Sequence, residues 1–483
     1  MKIVLINPAW LYHKRNIPLS QLVGLTSIAA SLQKEGHNVS LINAVALGRR
    51  KIAQFSIEGC SIYKIGLSDT DIISRIPYDT DIVGISAPFT HHQHVVKTLI
   101  RAIRVQYPQM SIVLGGVLPS TLPYRAAQLG ADFIVVGEGE PALTAFARGI
   151  SVVEIEGVYE SSVLVQQEKE HRGLLQKSIV TNMNALPFPA RDLLPFEDYI
   201  QSQSSGRGKD KFGVSLHTSR GCPYSCNFCS VHSVFKRGFR ARTAESVWQE
   251  MKGIIDKYNV FHFEFEDDNL TLDRERALSL FNTMAQWNRL HANKLTFITP
   301  NGIRIDTLDH ELLALMKMAG CERISLAVEH GDSDMLSLMH KQLNMEKVID
   351  VVRSCKPIGI AVRIYFIIGY PGETEHRWKN GILFMKKLKK INNTIDFSIF
   401  PAKALPGTEL AEYCRKKGYD LDPDPDNMVV CGSFSNIETP EFSHRKVQQR
   451  LQVSDLLLNR RSIAHRITSK IKRGFANMRS LSQ

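Results

Sequence analysis

The sequence predicts an α/β protein made of two successive units, each built around a parallel sheet, followed by a helical C-terminal region. Apolar, strand-like runs alternate with segments of helical spacing over the first 145 residues, and the alternation resumes after residue 211. Between the two series, residues 146–210 contain a proline-punctuated stretch and a Ser/Gly-rich stretch, which are typical of a connector. The length of 483 residues suits two or three domains.

The first unit has the pattern of a Rossmann-like parallel sheet with helices on both faces. Helical spacing is found over residues 20–35 and 91–106, and strand candidates lie at residues 2–7, 38–43, 81–87, 111–116 and 132–136. Such sheets bind ligands beyond the carboxyl ends of their strands, where glycines allow a close approach to the backbone. The candidate binding residues at these ends are Ser86, Thr90, Gly115, Gly116, Gly137, Glu138 and Gly139.

The sheet pattern alone leaves a nucleotide, a flavin or no ligand open for the first unit. The first loop, Asn7-Pro8-Ala9-Trp10, lacks the G-x-G-x-x-G pattern, so a dinucleotide is unsupported. His91, His92 and His94 invite a metal hypothesis, but a polar start to the following helix is the interpretation we favour.

The second unit has the pattern of an open, partial barrel of six β/α repeats. Six repeats are too few for a complete eight-fold barrel, and loops at the carboxyl ends of the strands are expected to carry the chemistry. The strand candidates are residues 214–218, 262–266, 295–299, 323–328, 362–368 and 396–400. The predicted domains are thus residues 1–145, a connector at 146–210, the barrel at 211–410 and a C-terminal region at 411–483.

Three of the eight cysteines form a tight group directly after the first strand of this second unit. Cys222, Cys226 and Cys229 have the spacing C-x3-C-x2-C, whereas the other five are scattered. Three thiolates on one loop can hold three corners of a [4Fe-4S] cluster and leave one iron open to a ligand. A structural zinc site would need a fourth ligand, for which His232 is the best candidate.

The cysteine motif, with Phe228 as an aromatic residue before the third cysteine, resembles that of the radical S-adenosylmethionine (SAM) superfamily. The resemblance implies that SAM binds the open iron and that its reductive cleavage gives a radical that abstracts hydrogen from a substrate. Family-like segments also follow later strands. The SAM contacts that the resemblance implies are Phe228, Asp267, Asn301, Arg304, Glu329 and Gly369. In the last of these segments Gly372 stands where a simpler family form has Glu, so we expect a backbone role there rather than a side-chain role for Glu373.

The N-terminal unit resembles that of the cobalamin-dependent radical SAM enzymes, and the likeness extends over residues 1–410. It rests on the strand KIVLINP, the segments GGVLPS and GEGE, and the proline-rich connector. The resemblance implies that the seven residues at the strand ends of the first unit bind cobalamin. The D-x-H-x-x-G motif is absent, because residues 43–48 read NAVALG, so a histidine of that motif is not expected to hold cobalt.

The function that the resemblance implies is methylation of an unactivated carbon or a phosphinate phosphorus. The implied cofactors are a [4Fe-4S] cluster, SAM and cobalamin, and the implied partners are a small-molecule or peptide substrate and a one-electron reductant of the flavodoxin or ferredoxin type. An oxidative cyclase or rearrangement enzyme without methyl transfer, like the anaerobic magnesium-porphyrin cyclase, is the alternative. A non-catalytic cobalamin- or metal-binding regulator is a further alternative, against which the clustered cysteines weigh.

The charge is concentrated at the C-terminus. The chain has a net charge of +12, and residues 444–483 hold ten Lys or Arg and one acidic residue, Asp455. This basic helical region can contact an anionic surface, but a solvated helix over the open edge of the barrel, or a frayed tail, is the interpretation we favour. Apolar runs of the roughly 20 residues that span a bilayer are missing and the N-terminus reads as a strand, so a cytoplasmic location is expected.

Overall fold

The computed structural model describes residues 1–12, 14–15, 21–57, 60–169, 175–196, 199, 213–420 and 435–458. Most of the Ser/Gly-rich part of the predicted connector and the basic tail beyond residue 458 lie outside the described residues. In the described ranges, no helix is both long enough and apolar enough to cross a membrane.

The strands, numbered in chain order, alternate with helices through both units. The strands are β1 Lys2–Asn7, β2 Trp10–Tyr12, β3 Asn38–Asn43, β4 Ile52–Ile57, β5 Cys60–Ile65, β6 Ile82–Ser86, β7 Ser111–Gly115, β8 Phe133–Val135, β9 Val158–Glu160, β10 Val214–Leu216, β11 Ser219–Arg220, β12 Arg240–Ala241, β13 His262–Phe265, β14 Thr296–Ile303, β15 Cys321–Glu329, β16 Ala361–Ile368 and β17 Asp396–Pro401.

The helices cover the faces of the two large sheets. The α-helices are Val23–Lys34, Ala44–Leu47, Asp69–Ile73, Gln93–Gln106, Val117–Thr121, Pro123–Ala127, Gly139–Ala147, Ser161–Lys169, Val231–Phe235, Ala244–Tyr258, Arg274–Leu290, His310–Met318, Ser333–Leu338, Met345–Ile358, Glu375–Ile391, Glu409–Lys417 and His444–Leu458. Short 3₁₀ turns lie at Thr90–His92, Val152–Glu154, Met183–Ala185, Arg191–Leu193 and Ile305–Thr307.

The first sheet has the strand order β3-β1-β6-β7-β8-β9 and is parallel except for β9. Along β1, Ile3 and Leu5 pack under the helices Val23–Lys34 and Gly139–Ala147, while Val4 and Ile6 pack under the helix Gln93–Gln106. Successive side chains of a strand point to opposite faces, so a continuous apolar strand requires cover on both. The predicted parallel sheet with helices on both faces is confirmed.

The connector and residues 44–80, for which no strand was predicted, both contain strands that the sequence did not indicate. β9 lies within the predicted connector and extends the first sheet as an antiparallel edge strand. β2, β4 and β5 form a separate antiparallel sheet, in which Trp10 is opposite Ile65. Short strands of this kind depend on cross-strand neighbours that are distant in the sequence, and their local pattern is therefore weak.

The second sheet has the order β10-β13-β14-β15-β16-β17, and all neighbouring strands are parallel. The chain order equals the spatial order, as in an open, partial barrel, and this part of the predicted fold class is confirmed. β14 runs to Ile303, beyond the predicted strand end at residue 299, and its register with β15 shifts between Thr299 and Ile303. The helix His444–Leu458 packs on the edge strand β17.

Buried side chains tie the two units together at the first barrel strand. The Gln21 side chain donates to the carbonyl oxygen of Gly213 at 2.6 Å and accepts from the amide of Ser215 at 3.0 Å. From the connector, Arg191 pairs with Glu250 at 2.6 Å and donates to the carbonyl oxygen of Ser215 at 2.8 Å. Strand β10 therefore begins at a position that the first unit and the connector both determine.

Candidate active site

A cavity of about 200 Å³ lies at the carboxyl end of the first sheet. Its walls are mainly apolar side chains from the strands and from the helices Val23–Lys34 and Gly139–Ala147. Six of the seven residues predicted at these strand ends line it. These six are Ser86, Gly115, Gly116, Gly137, Glu138 and Gly139. Thr90 is buried at the start of a 3₁₀ turn and is not among the lining residues.

Glycines keep this cavity open. A Cβ atom at Gly24 would have no neighbour within 4 Å, and one at Gly115 would meet only Val135, at 3.8 Å. Both residues line the cavity, so a side chain at either would extend into the free space. Gly137 serves the backbone instead: its φ is +99°, and a Cβ there would lie 2.3 Å from the carbonyl oxygen of Ser178. The glycines thus leave room for a ligand and allow the tight turn beside it.

The second unit completes the wall of the same cavity. The lining residues that it contributes are His217, Arg220, Val234 and Phe235. These residues flank the three cysteines in the sequence. The cavity therefore lies between the first sheet and the segment that carries the cysteines.

The cysteine loop holds its three thiols in a half-buried position. Burial, with a smaller effect from the neighbouring thiols, raises the pKa of Cys229 to about 11. Burial also raises the pKa of Cys226. Metals bind thiolates, so iron binding at this loop must release protons from these thiols.

Asn227, between the second cysteine and Phe228, anchors the loop to the barrel. Its side-chain amide donates to the carbonyl oxygen of Leu338 at 2.8 Å, and its Oδ1 accepts from the Tyr370 hydroxyl at 2.6 Å. Its backbone amide donates to the carbonyl oxygen of Met339 at 3.2 Å. Sequence reasoning missed Asn227, although a polar residue between a cysteine and an aromatic residue was a visible signal.

The side chains of the cysteine loop that can act as ligands of a metal cluster are three thiols. In the described part of the chain, no three side chains of His, Cys, Asp or Glu are placed to hold a single metal ion. Nε2 of His232, the candidate fourth zinc ligand, lies 2.6 Å from the carbonyl oxygen of Tyr224, so this ring nitrogen already has a hydrogen-bond partner.

Two polar side chains after strand β13 contact the cysteine loop and the residues that precede it. Asp267 is buried, and its Oδ1 accepts hydrogen bonds from the hydroxyls of Thr218 and Ser219, while its Oδ2 has no partner. The amide of Asn269 lies 3.6 Å from Sγ of Cys222. Asp267 was predicted as a SAM contact, and Asn269 was not singled out.

Arg304 lies against the cysteine loop, whereas Asn301 is exposed. The guanidinium carbon of Arg304 is 3.5 Å from the ring centroid of Tyr224, and the group also pairs with Asp306 at 2.6 Å. The Asn301 side chain donates to the backbone carbonyl of Glu266 at 2.8 Å. Asn301 lies within β14, because this strand extends to Ile303, and Arg304 directly follows the strand at the carboxyl edge of the barrel.

A buried ion pair faces the second cysteine. Nζ of Lys341 is 3.2 Å from Oε1 of Glu329, and both side chains are nearly inaccessible. The two charges act on Cys226 in opposite directions, the ammonium lowering its pKa and the carboxylate raising it. Glu329 has a φ of +69°, so its backbone adopts a conformation that costs free energy for a non-glycine residue. Lys341, missed in the sequence, gives this site a buried cation.

The segment after strand β16 is held by the side chain of Glu373. Gly369 has a φ of +72°, and its amide donates to Oε2 of Glu373 at 2.8 Å. The fully buried Glu373 also lies 3.1 Å from Nε2 of His330 and 2.9 Å from Arg450 of the C-terminal helix. The preference for a backbone role over a side-chain role of Glu373 in SAM binding stays a prediction, and the carboxylate of Glu373 joins three elements of the fold. Phe228 packs against the cluster that contains Ile368.

The histidines after strand β6 do not act as one group. The rings of His91 and His92 meet edge-on at 4.4 Å, whereas His94 is exposed. Burial lowers the pKa of His92 to about 4 and that of His91 to about 2, so both are neutral at pH 7. Nε2 of His92 accepts from the amide of Leu11 at 3.4 Å.

The geometry defines a two-unit α/β protein in which residues on both sides of a three-cysteine loop line a glycine-rich cavity. Residues 21–147 match the family of the B12 binding domain, and residues 216–385 match the radical SAM superfamily. The chain thus carries a B12-binding domain ahead of a radical SAM domain, as the resemblance of its motifs implied.

Proteins of similar organisation match over most of the chain. Cytidylyl-2-hydroxyethylphosphonate methyltransferase of Streptomyces wedmorensis is 26% identical over 459 residues, which cover 88% of this chain and 83% of that protein. An uncharacterized methyltransferase of Pyrococcus horikoshii is 28% identical over 428 residues, which cover 86% of this chain and 83% of that protein. The structure of the radical SAM methyltransferase TsrM from Kitasatospora setae, with cobalamin and a [4Fe-4S] cluster bound, covers 92% of this chain and 84% of its own at 17% identity, with a TM-score of 0.66. That likeness establishes a shared fold.

Proposed function

We propose that this chain is a cobalamin-dependent radical SAM methyltransferase that acts on an unactivated carbon or a phosphinate phosphorus. The observation that carries the proposal is that residues on both sides of the cysteine loop line the glycine-lined cavity. An enzyme that combines two cofactors in one reaction needs both held at fixed positions beside one substrate.

The residues of the cysteine loop fit an iron–sulfur cluster with SAM. Cys222, Cys226 and Cys229 supply three thiolates, and the loop is fixed by Asn227. Lys341 and Glu329 offer an ammonium and a carboxylate beside Cys226, which complement the carboxylate and the amino group of an amino acid moiety. Phe228, Asp267, Asn301, Arg304 and Gly369 are the further residues that we assign to SAM binding.

The cavity of the first unit fits part of a cobalamin. Its apolar walls and its volume of about 200 Å³ suit one flat aromatic base, such as that of the nucleotide tail. Ser86, Gly115, Gly116, Gly137 and Gly139 supply the wall, and we place Thr90 near the rim. The carboxylate of Glu138 already pairs with Arg220 and Arg240, so we assign Glu138 the role of fixing the position of the cavity wall.

When bound, the cluster with SAM supplies one-electron cleavage and hydrogen-atom abstraction, and cobalamin supplies methyl transfer. The chain's own residues orient these groups and keep water away. Burial of Asp267 and of the Lys341–Glu329 pair keeps the surroundings of the cysteines dry on the barrel side. His217 lines the cavity, and its Nε2 lies 3.2 Å from Oε2 of Glu266, so this partly exposed polar pair is placed where a substrate can bind.

The remaining partners follow from this chemistry. Reductive cleavage needs an external one-electron donor, for which a flavodoxin or ferredoxin is suitable, and such donors are found in the cytoplasm. The substrate is a small molecule or a peptide. The basic C-terminal segment offers an electrostatic contact to an anionic surface.

The test is product analysis under anaerobic conditions with SAM, cobalamin and a low-potential reductant. We expect formation of 5′-deoxyadenosine without substrate, and its formation together with S-adenosylhomocysteine when a substrate that gains a CH2 unit is present. Turnover that gives 5′-deoxyadenosine and a product without added CH2 would replace the methyltransferase proposal with the cyclase or rearrangement alternative. A protein that binds cobalamin but never cleaves SAM would be a regulator.

A further inference from the structure

The residue directly before the Gly-Cys of the cysteine loop is a buried arginine bound by the first unit. Nη1 of Arg220 is 2.7 Å from Oε1 of Glu138, and its Nη2 is 2.6 Å from Oε1 of Glu140. All three side chains are at most 8% exposed. We refer to Arg220, Glu138 and Glu140 as the Arg220 clamp.

A second arginine reinforces the clamp from the neighbouring strand. Arg240 is opposite Arg220 in the two-stranded ribbon of β11 and β12, and it contacts Oε2 of Glu138 at 2.6 Å. The same oxygen accepts from the amide of Val180, in the connector, at 2.8 Å. Glu138 is therefore held by the ribbon and by the connector together.

The clamp belongs to both candidate cofactor sites. Glu138, Glu140 and Arg220 line the cavity of the first unit, and Arg220 lies two residues before Cys222. A ligand that fills the cavity therefore contacts the groups that fix the start of the cysteine loop. A bidentate arginine–carboxylate contact is strongly directional, so it transmits position as well as charge.

We infer that the Arg220 clamp couples the two sites, so that cobalamin in the cavity and an iron–sulfur cluster on the loop each favour binding of the other. Arg220 is a positioning residue in this scheme, because it acts through the cysteine loop and the cavity wall. The inference rests on the proposed function, since it requires that both cofactors bind. Coupling between two binding sites is reciprocal, which makes it measurable from either side.

The test is a titration of hydroxocobalamin into the full-length protein under anaerobic conditions, followed by absorbance. It is made once with the reconstituted cluster and once without it. For the wild type we expect about fivefold or greater tightening of the cobalamin Kd by the cluster. For Arg220→Gln, and for the near-isosteric Glu140→Gln, we expect this ratio to fall towards one. Arg220→Lys keeps the charge without the two-pronged contact, and should give an intermediate ratio.

Arg191→Gln is the matched control. Arg191 forms an equally buried pair with Glu250 but does not line the cavity. If the clamp only stabilises the fold, the Arg220 and Arg191 variants will both lower the melting temperature and both keep the wild-type ratio, and the inference is overturned. A wild type that binds both cofactors with a ratio of one also overturns it and leaves the proposed function intact. A wild type that binds neither iron nor cobalamin contradicts the proposed function itself.

Discussion

The two candidate cofactor sites of this chain are built in opposite ways. The cavity of the first unit is made by the absence of side chains, with glycines at Gly24 and Gly115 and apolar walls around them. The site on the barrel is made by the presence of charged and nucleophilic groups that bind one another, such as Lys341 and Glu329. The first site is thus shaped before its ligand arrives, whereas the second must lose protons or exchange partners when it is filled.

The largest expected effect is loss of the cysteine ligands. Cys226→Ala should abolish binding of an intact cluster and SAM cleavage, because a cubane held by two thiolates lacks a required corner. The cobalamin Kd of this variant should equal that of the wild type prepared without its cluster. Iron content and 5′-deoxyadenosine formation measure the effect.

The control for this prediction is Cys355→Ala, which removes a buried thiol from the barrel core. Iron binding should survive in that variant. Unchanged SAM cleavage in Cys226→Ala would refute the assignment of the loop.

The next largest effect is expected on cobalamin binding when an added side chain fills the cavity of the first unit. Gly24→Leu should weaken cobalamin binding by roughly 10- to 100-fold, because added side-chain volume in a site of fixed shape costs about 1–3 kcal/mol. Gly253→Leu is the matched control, since Gly253 is also a helical glycine at which an added Cβ would have no neighbour within 4 Å, but it does not line the cavity. Equal cobalamin affinities for the two variants would place the ligand elsewhere.

A smaller effect is expected at the buried ion pair. Lys341→Met should raise the Kd for SAM by about tenfold, since a hydrogen bond to a charged group contributes about 1.5 kcal/mol. The change in the electron paramagnetic resonance signal of the reduced cluster on SAM addition reports the binding. The exposed Lys356→Met is the control and should match the wild type. A tenfold change in both would point to general destabilisation.

The smallest effect is a change in pH dependence at the Arg220 clamp. Burial alone would raise the pKa of Glu140, but the charge and hydrogen bond of Arg220, together with hydrogen bonds from Ser27 and the backbone, outweigh burial and hold this pKa below its ordinary value of 4.5. The pair therefore stabilises the folded protein above about pH 4.5, and this stabilisation is lost as pH falls through the folded-state pKa. Denaturant unfolding between pH 6 and 3 should show a shallower loss of stability for Glu140→Gln than for the wild type. The exposed Glu311→Gln should keep the wild-type slope.

The features that the sequence predicts have local signals. The features that it cannot predict depend on residues that are distant in the sequence. The cysteine loop, the strand ends and the parallel sheets come from patterns within a few residues. Contacts between residues that are distant in the sequence give no such pattern. Arg220 and Glu138 are 82 residues apart in the sequence, and Arg450 and Glu373 are 77 residues apart. The role of Glu138 as an arginine partner and that of Glu373 as a junction of three elements therefore required the structure.

The short antiparallel strands are a second case of missing local signal. β4 and β5 lie between residues 44 and 80, where no strand was predicted, and β9 lies in the predicted connector. Each is stabilised by one or two neighbouring strands rather than by a continuous apolar run. In contrast, the sequence predicts the apolar strands β1 and β6 to within one residue of their ends.

The most direct test of the central claim is the metal content of the chain after anaerobic expression with iron, sulfide and cobalamin. The account predicts about four iron and one cobalt per chain, without zinc. In a variant with Cys222, Cys226 and Cys229 all changed to alanine, the iron should be lost while cobalt remains detectable. Zinc without iron would make the cysteine loop structural and contradict the account, and iron without cobalt would remove cobalamin from it.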